Sequence, residues 1–544
     1  MMRFRKFIAV FLFVFLFSFA FYQFLLAGTP FHYGEDTDVL KIGLETPSSA
    51  LLSLSLNPFS RHLYRFGMDT ALQTRPVETL IFKIVGSVFG FHAGPLYATK
   101  TFFSAFVCAG LFLILFSATS SYGMAFLGWL FFLSAPSVYA SVRYIHDYEM
   151  VSQCFTLLSL ACFFFLNEKE NSLGKNLFLA AGSILTGILA IRTKETSKTL
   201  PLTLILFLFI RTFWNRTKAS GKPVKGEKLQ WMTALFFLVS ALLPFFLSSR
   251  PSAGSFGWHP ENIFYFLVRN PFGFESEKQI ALFTLENTMP GSFIGTFGFY
   301  FGWVFLLLLT AGFCQKKKVL PPRFYSILQL SIAWWITTSA GYALIERLDD
   351  RFLTVSMTPA VIASFLGLHW ALEKLKAYSV RIFSWTTGFL VLIFFMNAQR
   401  NLDHLIFCRN FLGGWLVAEG KIFERMTEDH LQTKSPSEQQ IYHYLREEIP
   451  KEMLELVRPM EGWDHPPDPV LINKLKESQP YLYAASPDKN IFAKDAEWKL
   501  LAEVNTLSDS LYGRLMKNIK KKASRQLYLF KWEKRAAPLT PALK

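Results

Sequence analysis

The feature that most constrains this chain is the length of its apolar runs. A helix that crosses a bilayer needs about 20 mostly apolar residues. Runs of that order lie at 7–26, 96–117, 122–140, 150–166, 177–191, 199–214, 230–248, 292–313, 325–345, 352–370 and 380–398. The series is too long for the core of one soluble globule, and it predicts an all-α polytopic membrane protein of about 11 transmembrane helices. The blocks at 177–191 and 199–214 are the shortest. Composition agrees: 51% of the residues are hydrophobic and 18% charged, against about 25% charged in soluble domains. Disorder and a small disulfide scaffold are excluded. The five cysteines include no CxxC pair, so neither a disulfide framework nor a zinc site is expected.

The first run follows Arg3, Arg5 and Lys6. It exceeds the roughly 7–15 residues of a signal-peptide core, and no convincing small-x-small cleavage site follows. It reads as an uncleaved helix with a cytoplasmic N-terminus. An odd number of spans then places the C-terminus outside.

The formal net charge is +16. Such an excess fits nucleic-acid binding, acidic lipid, or simply the retention of basic loops in the cytoplasm. Position decides between them. The cytoplasmic segments hold 18 Lys+Arg against 4 Asp+Glu, the outer segments of the membrane part 15 against 16 when Lys100, which lies inside a span, is counted with them, and the tail 23 against 20. The basic excess is therefore mainly a topology signal, and no nucleic-acid partner is expected.

Two domains are predicted: a transmembrane domain over 1–398, with long outer loops at 28–95 and 249–290, and a small extracytoplasmic α/β domain over 399–544. In the first loop, Val77, Leu80, Ile81, Ile84, Val85 and Val88 recur at helical spacing, with Glu78, Thr79, Lys83 and Ser87 on the other face. This predicts an amphipathic helix at the membrane surface, opened by Pro76. In the tail, Ser435-Pro436-Ser437-Glu438 has the form of a capping box. Asp468-Pro469 starts another helix, and Tyr481 to Ala484 and Gln526 to Trp532 read as strands.

Four charged clusters and one Arg-Pro pair fall on the outer side. Glu35, Asp36 and Asp38 follow the first span. Carboxylates so close raise one another's pKa, and they can serve as a general base or hold a cation, although an acidic cluster is also an ordinary way to begin a solvated loop. Arg75-Pro76 comes next, then Arg143 with Asp147 and Glu149. Arg192, Lys194, Glu195 and Lys198 share a tight turn between two short spans, where the bases can snorkel to headgroups but Glu195 cannot. Last comes Glu346-Arg347-Leu348-Asp349-Asp350-Arg351-Phe352. Arginine suits phosphate oxygens through its bidentate fork. Four such clusters on one face imply a polar cavity for an anionic ligand, with carboxylates nearby.

The order of these motifs resembles the GT-C superfamily of integral-membrane glycosyltransferases, and within it the protein O-mannosyltransferases and lipid A aminoarabinose transferases. The resemblance runs over roughly the first 400 residues: Glu35-Asp36 after the first span, Arg75-Pro76 leading a surface helix, Ser141-Val142-Arg143 before the fourth span, Lys194-Glu195-Thr196 before Leu200-Pro201, and Arg351-Phe352-Leu353 before Pro359. It implies transfer of a sugar from a polyprenyl-phosphate carrier to a hydroxyl of a protein, lipid or glycan, with inversion, on the extracytoplasmic face. Asp36 or Glu35 would be the base, with Asp38 an additional candidate. The family favours Asp at the first position of the pair, where this chain has Glu. Arg351 would hold the carrier phosphate, and Lys194 and Glu195 would line the same cavity, with Arg75, Arg143 and Arg347 around it. Asp349 and Asp350 depart from the simpler family motif and could neutralise Arg351.

No cofactor is expected. The acidic cluster could hold a divalent cation, but related protein mannosyltransferases generally work without one. The partners implied are the lipid-linked donor, membrane lipid and a protein or glycolipid acceptor, in a bacterial inner membrane. The competing classes are a transporter or lipid flippase, whose intramembrane charges would line a path, and a non-catalytic scaffold presenting the C-terminal domain. The charges gather at one face and no internal repeat is visible, which places transport second.

Overall fold

A computed structural model of the chain describes residues 2–30, 46–56, 75–89, 93–143, 145, 148–166, 171–216, 227–246, 322–342, 353–407, 413–431, 451–457, 467–505, 511, 513–515 and 526–534. In chain order the helices are α1 (Met2–Leu26), α2 (Ser48–Leu56), α3 (Pro76–Phe89), α4 (Ala93–Thr119), α5 (Tyr122–Leu133), α6 (Pro136–Arg143), α7 (Glu149–Phe165) and α8 (Leu173–Thr193). A 3-10 turn (Glu195–Thr199) leads into α9 (Leu200–Arg216), followed by α10 (Glu227–Phe246), α11 (Pro322–Tyr342), α12 (Leu353–Tyr378) and α13 (Val380–Phe407). The tail adds α14 (Gly413–Leu431), α15 (Lys451–Val457), α16 (Pro469–Ser478) and the strands β1 (Tyr481–Ser486), β2 (Trp498–Asn505) and β3 (Gln526–Glu533).

The apolar block at 292–313 lies outside the described residues; the described part of each other block overlaps a helix, and the block at 122–140 overlaps two, α5 and α6. Among the described residues, five helices are long and apolar enough to cross a bilayer, at Ile8–Leu26, Ala93–Thr119, Leu173–Thr193, Thr196–Phe213 and Thr354–Tyr378. A sixth results if α5 and α6, bent by 54°, form one span. The break has a local cause: Pro136 lacks the N–H that would continue the ladder and disfavours a helical residue before it. Glu149–Phe165 and Val380–Phe395 are apolar but shorter. The fold is thus mostly helical with several candidate spans, fewer among the described residues than the eleven expected. On α13, Ile382, Trp385, Phe389, Leu392 and Phe395 are exposed at three- and four-residue spacing. Such a stripe is costly in water and natural against acyl chains.

The chain divides into two compact units, Met1–Gln23 with Thr46–Ile84 and Tyr97–Leu405, and Phe24–Glu45 with Val85–Leu96 and Ile406–Lys544. In the first, lipid offers no hydrophobic drive between helices, so small residues and hydrogen bonds join them. Tyr22 Oη donates to the Leu133 carbonyl (3.2 Å), and Trp129 Nε1 to Ser18 Oγ (2.9 Å), tying α1 to α5. Ser159 and Ser183 each donate to the other's carbonyl at 2.7 and 3.0 Å, which locks α7 to α8. Gly187 lets Phe237 of α10 close on α8, because a Cβ there would stand 2.3 Å from the ring. Helix α3 forms where the amphipathic pattern predicts it. Glu78, Thr79 and Phe82 are buried, whereas Ile84, Val88 and Phe89 are more than half exposed. Val77 and Val85 of the predicted apolar face are buried as well, so only the edge with Ile84, Val88 and Phe89 is exposed, which suits a helix touching lipid along one edge.

In the second unit the sheet is antiparallel throughout, in the order β1-β3-β2. Residues paired across strands share a face. Tyr483 and Lys531 are paired, and both bond Asp429 of α14, at 2.7 and 2.6 Å. Trp498 and Trp532 are paired, and both lie under Lys476 of α16. Helix α14 thus covers one face and α16 the other. Helix α16 starts where expected, with Asp468 Oδ1 accepting from Val470 N (2.9 Å) and Pro469 at the first position. The capping box at 435–438 lies outside the described residues.

Candidate functional site

In the first unit, several helices bring polar residues to one end. Helix α8 ends at Thr193, and Lys194 caps it in an extended conformation (φ −152°, ψ 141°), its N–H bonded to the Ala190 carbonyl at 3.1 Å. Lys194 also opens the 3-10 turn that carries Glu195 and Thr196. Lys194 Nζ lies 3.7 Å from Glu149 Oε1, with the two side chains 3% and 0% exposed. Thr196 Oγ1 donates to Glu149 Oε2 at 2.7 Å. Glu149 is the first residue of α7, where the partial positive charge of the helix N-terminus favours a carboxylate. At 3.7 Å the ion pair is looser than a charge-assisted hydrogen bond of about 2.7–2.9 Å.

Neighbouring groups extend this cluster. Lys100, 1% exposed and on α4, stands 5.8 Å above the Tyr148 ring, which meets Phe82 of α3 edge to face at 4.9 Å. Tyr97 Oη donates to the carbonyl of Arg143, the last residue of α6, at 2.9 Å. Arg192 is buried. Below the charges runs a layer of hydroxyls. Ser152 Oγ meets Ser197 Oγ at 2.6 Å and the Ala190 carbonyl at 3.0 Å. Thr354 Oγ1 donates to the Ser137 carbonyl at 2.8 Å, and its hydroxyl shares a 2.5 Å hydrogen bond with that of Ser141. Thr358 Oγ1 donates to Gln153 Oε1.

Of the residues predicted from sequence, Lys194 is buried against Glu149. Arg143 and Arg75 are half-buried, Arg143 ending α6 and Arg75 offering its carbonyl to Thr79 N of α3 at 3.3 Å. Glu195 lies in the 3-10 turn. Glu35, Asp36, Asp38, Arg347 and Arg351 lie outside the described residues, so the predicted convergence of Glu35 or Asp36 with Lys194 and Arg351 does too. Sequence reasoning grouped Glu149 with Arg143 and Asp147, and missed that it is the partner of Lys194, 45 positions away. It also noted Lys100 only as a charge within a span. A lone lysine in the first third of a 27-residue apolar helix is the signal that could have singled it out.

No protein family matches the chain, and no curated protein matches it. Among solved structures, two of ArnT from Cupriavidus metallidurans are similar to it. The structure bound to undecaprenyl phosphate shares 12% identity at a TM-score of 0.44, and the apo structure 14% at 0.43. Each comparison covers 97% of both chains.

Proposed function

We propose that this protein is an integral-membrane glycosyltransferase that takes a sugar from a polyprenyl-phosphate carrier and passes it to a hydroxyl acceptor on the extracytoplasmic face. The observation that carries the reading is the burial of Glu149 against Lys194 in an apolar helical unit. Ionised groups are not kept at such a position without paired partners or a use. The motif order found in the sequence also supports it. Arg351 precedes Thr354 by three residues, and Thr354 is bonded to Ser141, two residues before Arg143.

In the proposed reaction, Asp36 or Glu35 accepts the proton of the acceptor hydroxyl. The freed oxygen attacks the anomeric carbon. The bond from that carbon to the phosphate oxygen breaks, and the lipid phosphate leaves with the electron pair. Arg351, with Arg75, Arg143 and Arg347 nearby, stabilises the charge that develops on it. Lys194, paired with Glu149, holds the wall of the same cavity. The reaction as proposed draws on no cofactor. The acceptor is a protein or glycolipid, and the membrane a bacterial inner membrane with the N-terminus in the cytoplasm.

The test is transfer by the purified protein from radiolabelled polyprenyl-phosphate sugars to candidate acceptors. Asp36→Asn or Glu35→Gln should abolish turnover, and Arg351→Ala should weaken donor use. Equal transfer by all three variants would remove these residues from the mechanism. Lys100, deep in α4, is the observation that favours a transport path instead. That reading predicts flux of labelled lipid across vesicles without transfer.

A further inference from the structure

Three buried groups in the first unit have unmatched hydrogen-bonding capacity. Gln153 Nε2, Trp335 Nε1 and Ser339 Oγ have no hydrogen-bond partner among the described residues, at 0%, 6% and 0% exposure. Buried polar groups are paired almost everywhere in folded proteins, and exceptions gather at sites of function. These three also belong to one region. Thr337 and Gly341 mark one side of α11: Thr337 Oγ1 meets Thr203 Oγ1 of α9 at 2.6 Å, and a Cβ at Gly341 would stand 2.7 Å from Thr199 of the 3-10 turn. Two positions along a helix turn the side chain by about 200°. Trp335 and Ser339, one turn apart, therefore lie on the opposite side of α11, toward its other neighbour α12. Helix α12 carries Thr358, which holds one end of the Gln153 amide. At about 1.5 Å per residue, Gln153 stands about 6 Å along α7 from Glu149, and Ser339 and Trp335 stand about 4.5 and 10.5 Å along α11 from Tyr342.

We propose that Gln153, Trp335 and Ser339 form the subsite for the hydroxyls of the donor's sugar, beneath the cations that meet its phosphate. The proposal rests on the glycosyltransferase reading above. The chemistry selects the ligand. An indole N–H can only donate, the Gln153 amide presents its donating end, and a hydroxyl can do either. None of the three carries charge. They suit a neutral ligand rich in oxygen acceptors, whereas a phosphate would call for lysine or arginine.

The experiment measures equilibrium binding to the full-length protein of sugar-free polyprenyl phosphate and of a panel of polyprenyl-phosphate sugars. Trp335→Phe, Ser339→Ala and Gln153→Leu each remove the donor and keep most of the volume. For at least one sugar, each variant should lose up to about tenfold in affinity, the scale of one hydrogen bond, while binding of the sugar-free carrier stays within about twofold. If the wild type binds neither carrier, the glycosyltransferase reading fails and the subsite falls with it. If it binds both but the variants weaken them equally, or weaken neither, the subsite alone is refuted and the groups are structural. A wild type that prefers no sugar-bearing carrier over the sugar-free one refutes it as well.

Discussion

Removing one charge from the Glu149–Lys194 pair should destabilise the helical unit strongly, and removing both should cost much less than the sum. At 3.7 Å and an effective dielectric constant near 20, the attraction is about 4.5 kcal/mol. Breaking a buried pair by losing one partner typically costs about 3–5 kcal/mol, because the survivor stays buried and uncompensated. Glu149→Gln isolates the charge, since the amide oxygen can still accept from Thr196. Lys194→Met keeps the aliphatic stem. For a large unit, about 2 °C of melting temperature is lost per kcal/mol, so each single variant should lose about 6–10 °C in detergent. The double variant leaves no uncompensated charge and should recover a coupling energy of about 2–3 kcal/mol. Thermal unfolding of the wild type, both single variants and the double variant closes the cycle. Additive losses would show that the two groups do not interact, and an unchanged Glu149→Gln would show that the carboxylate is not ionised there. Either result refutes the reasoning.

Gly187→Ala should cost about 1–3 kcal/mol by overpacking, because the new Cβ would stand 2.3 Å from Phe237; detergent melting of the variant reads this directly. In the second unit, burial and the hydrogen bond to Asp429 hold the Tyr483 phenol well above its ordinary range. Burial pulls the Lys531 ammonium down, but Asp429 and Glu533 outweigh it and the pKa is raised. Both groups favour the folded state while protonated. Their contributions are complete below the unfolded values of 10.0 and 10.5 and are lost as pH rises beyond them. Melting temperature should therefore fall above about pH 10, and Asp429→Asn should flatten that fall.

Local chemistry made much of the fold legible. Span positions follow from runs of apolar side chains. The start of α16 follows from Asp468 and Pro469, which supply a cap and a preset φ. The strands near 481 and 526 follow from their aromatic and aliphatic content. Strand β2 escaped notice because a bulge between Leu500 and Ala502 breaks its alternation.

The site divides along the same line. Sequence alone determined that charged residues recur at the ends of the apolar runs, since that depends only on which residues flank which run. Only the tertiary structure decided that Lys194 meets Glu149, that Thr358 takes one end of Gln153, and that Trp335 and Ser339 turn away from α9. These partners are 45 and 205 positions apart in the chain. No local pattern encodes such a pairing, because it arises when separate helices pack and bury polar groups that must then find one another.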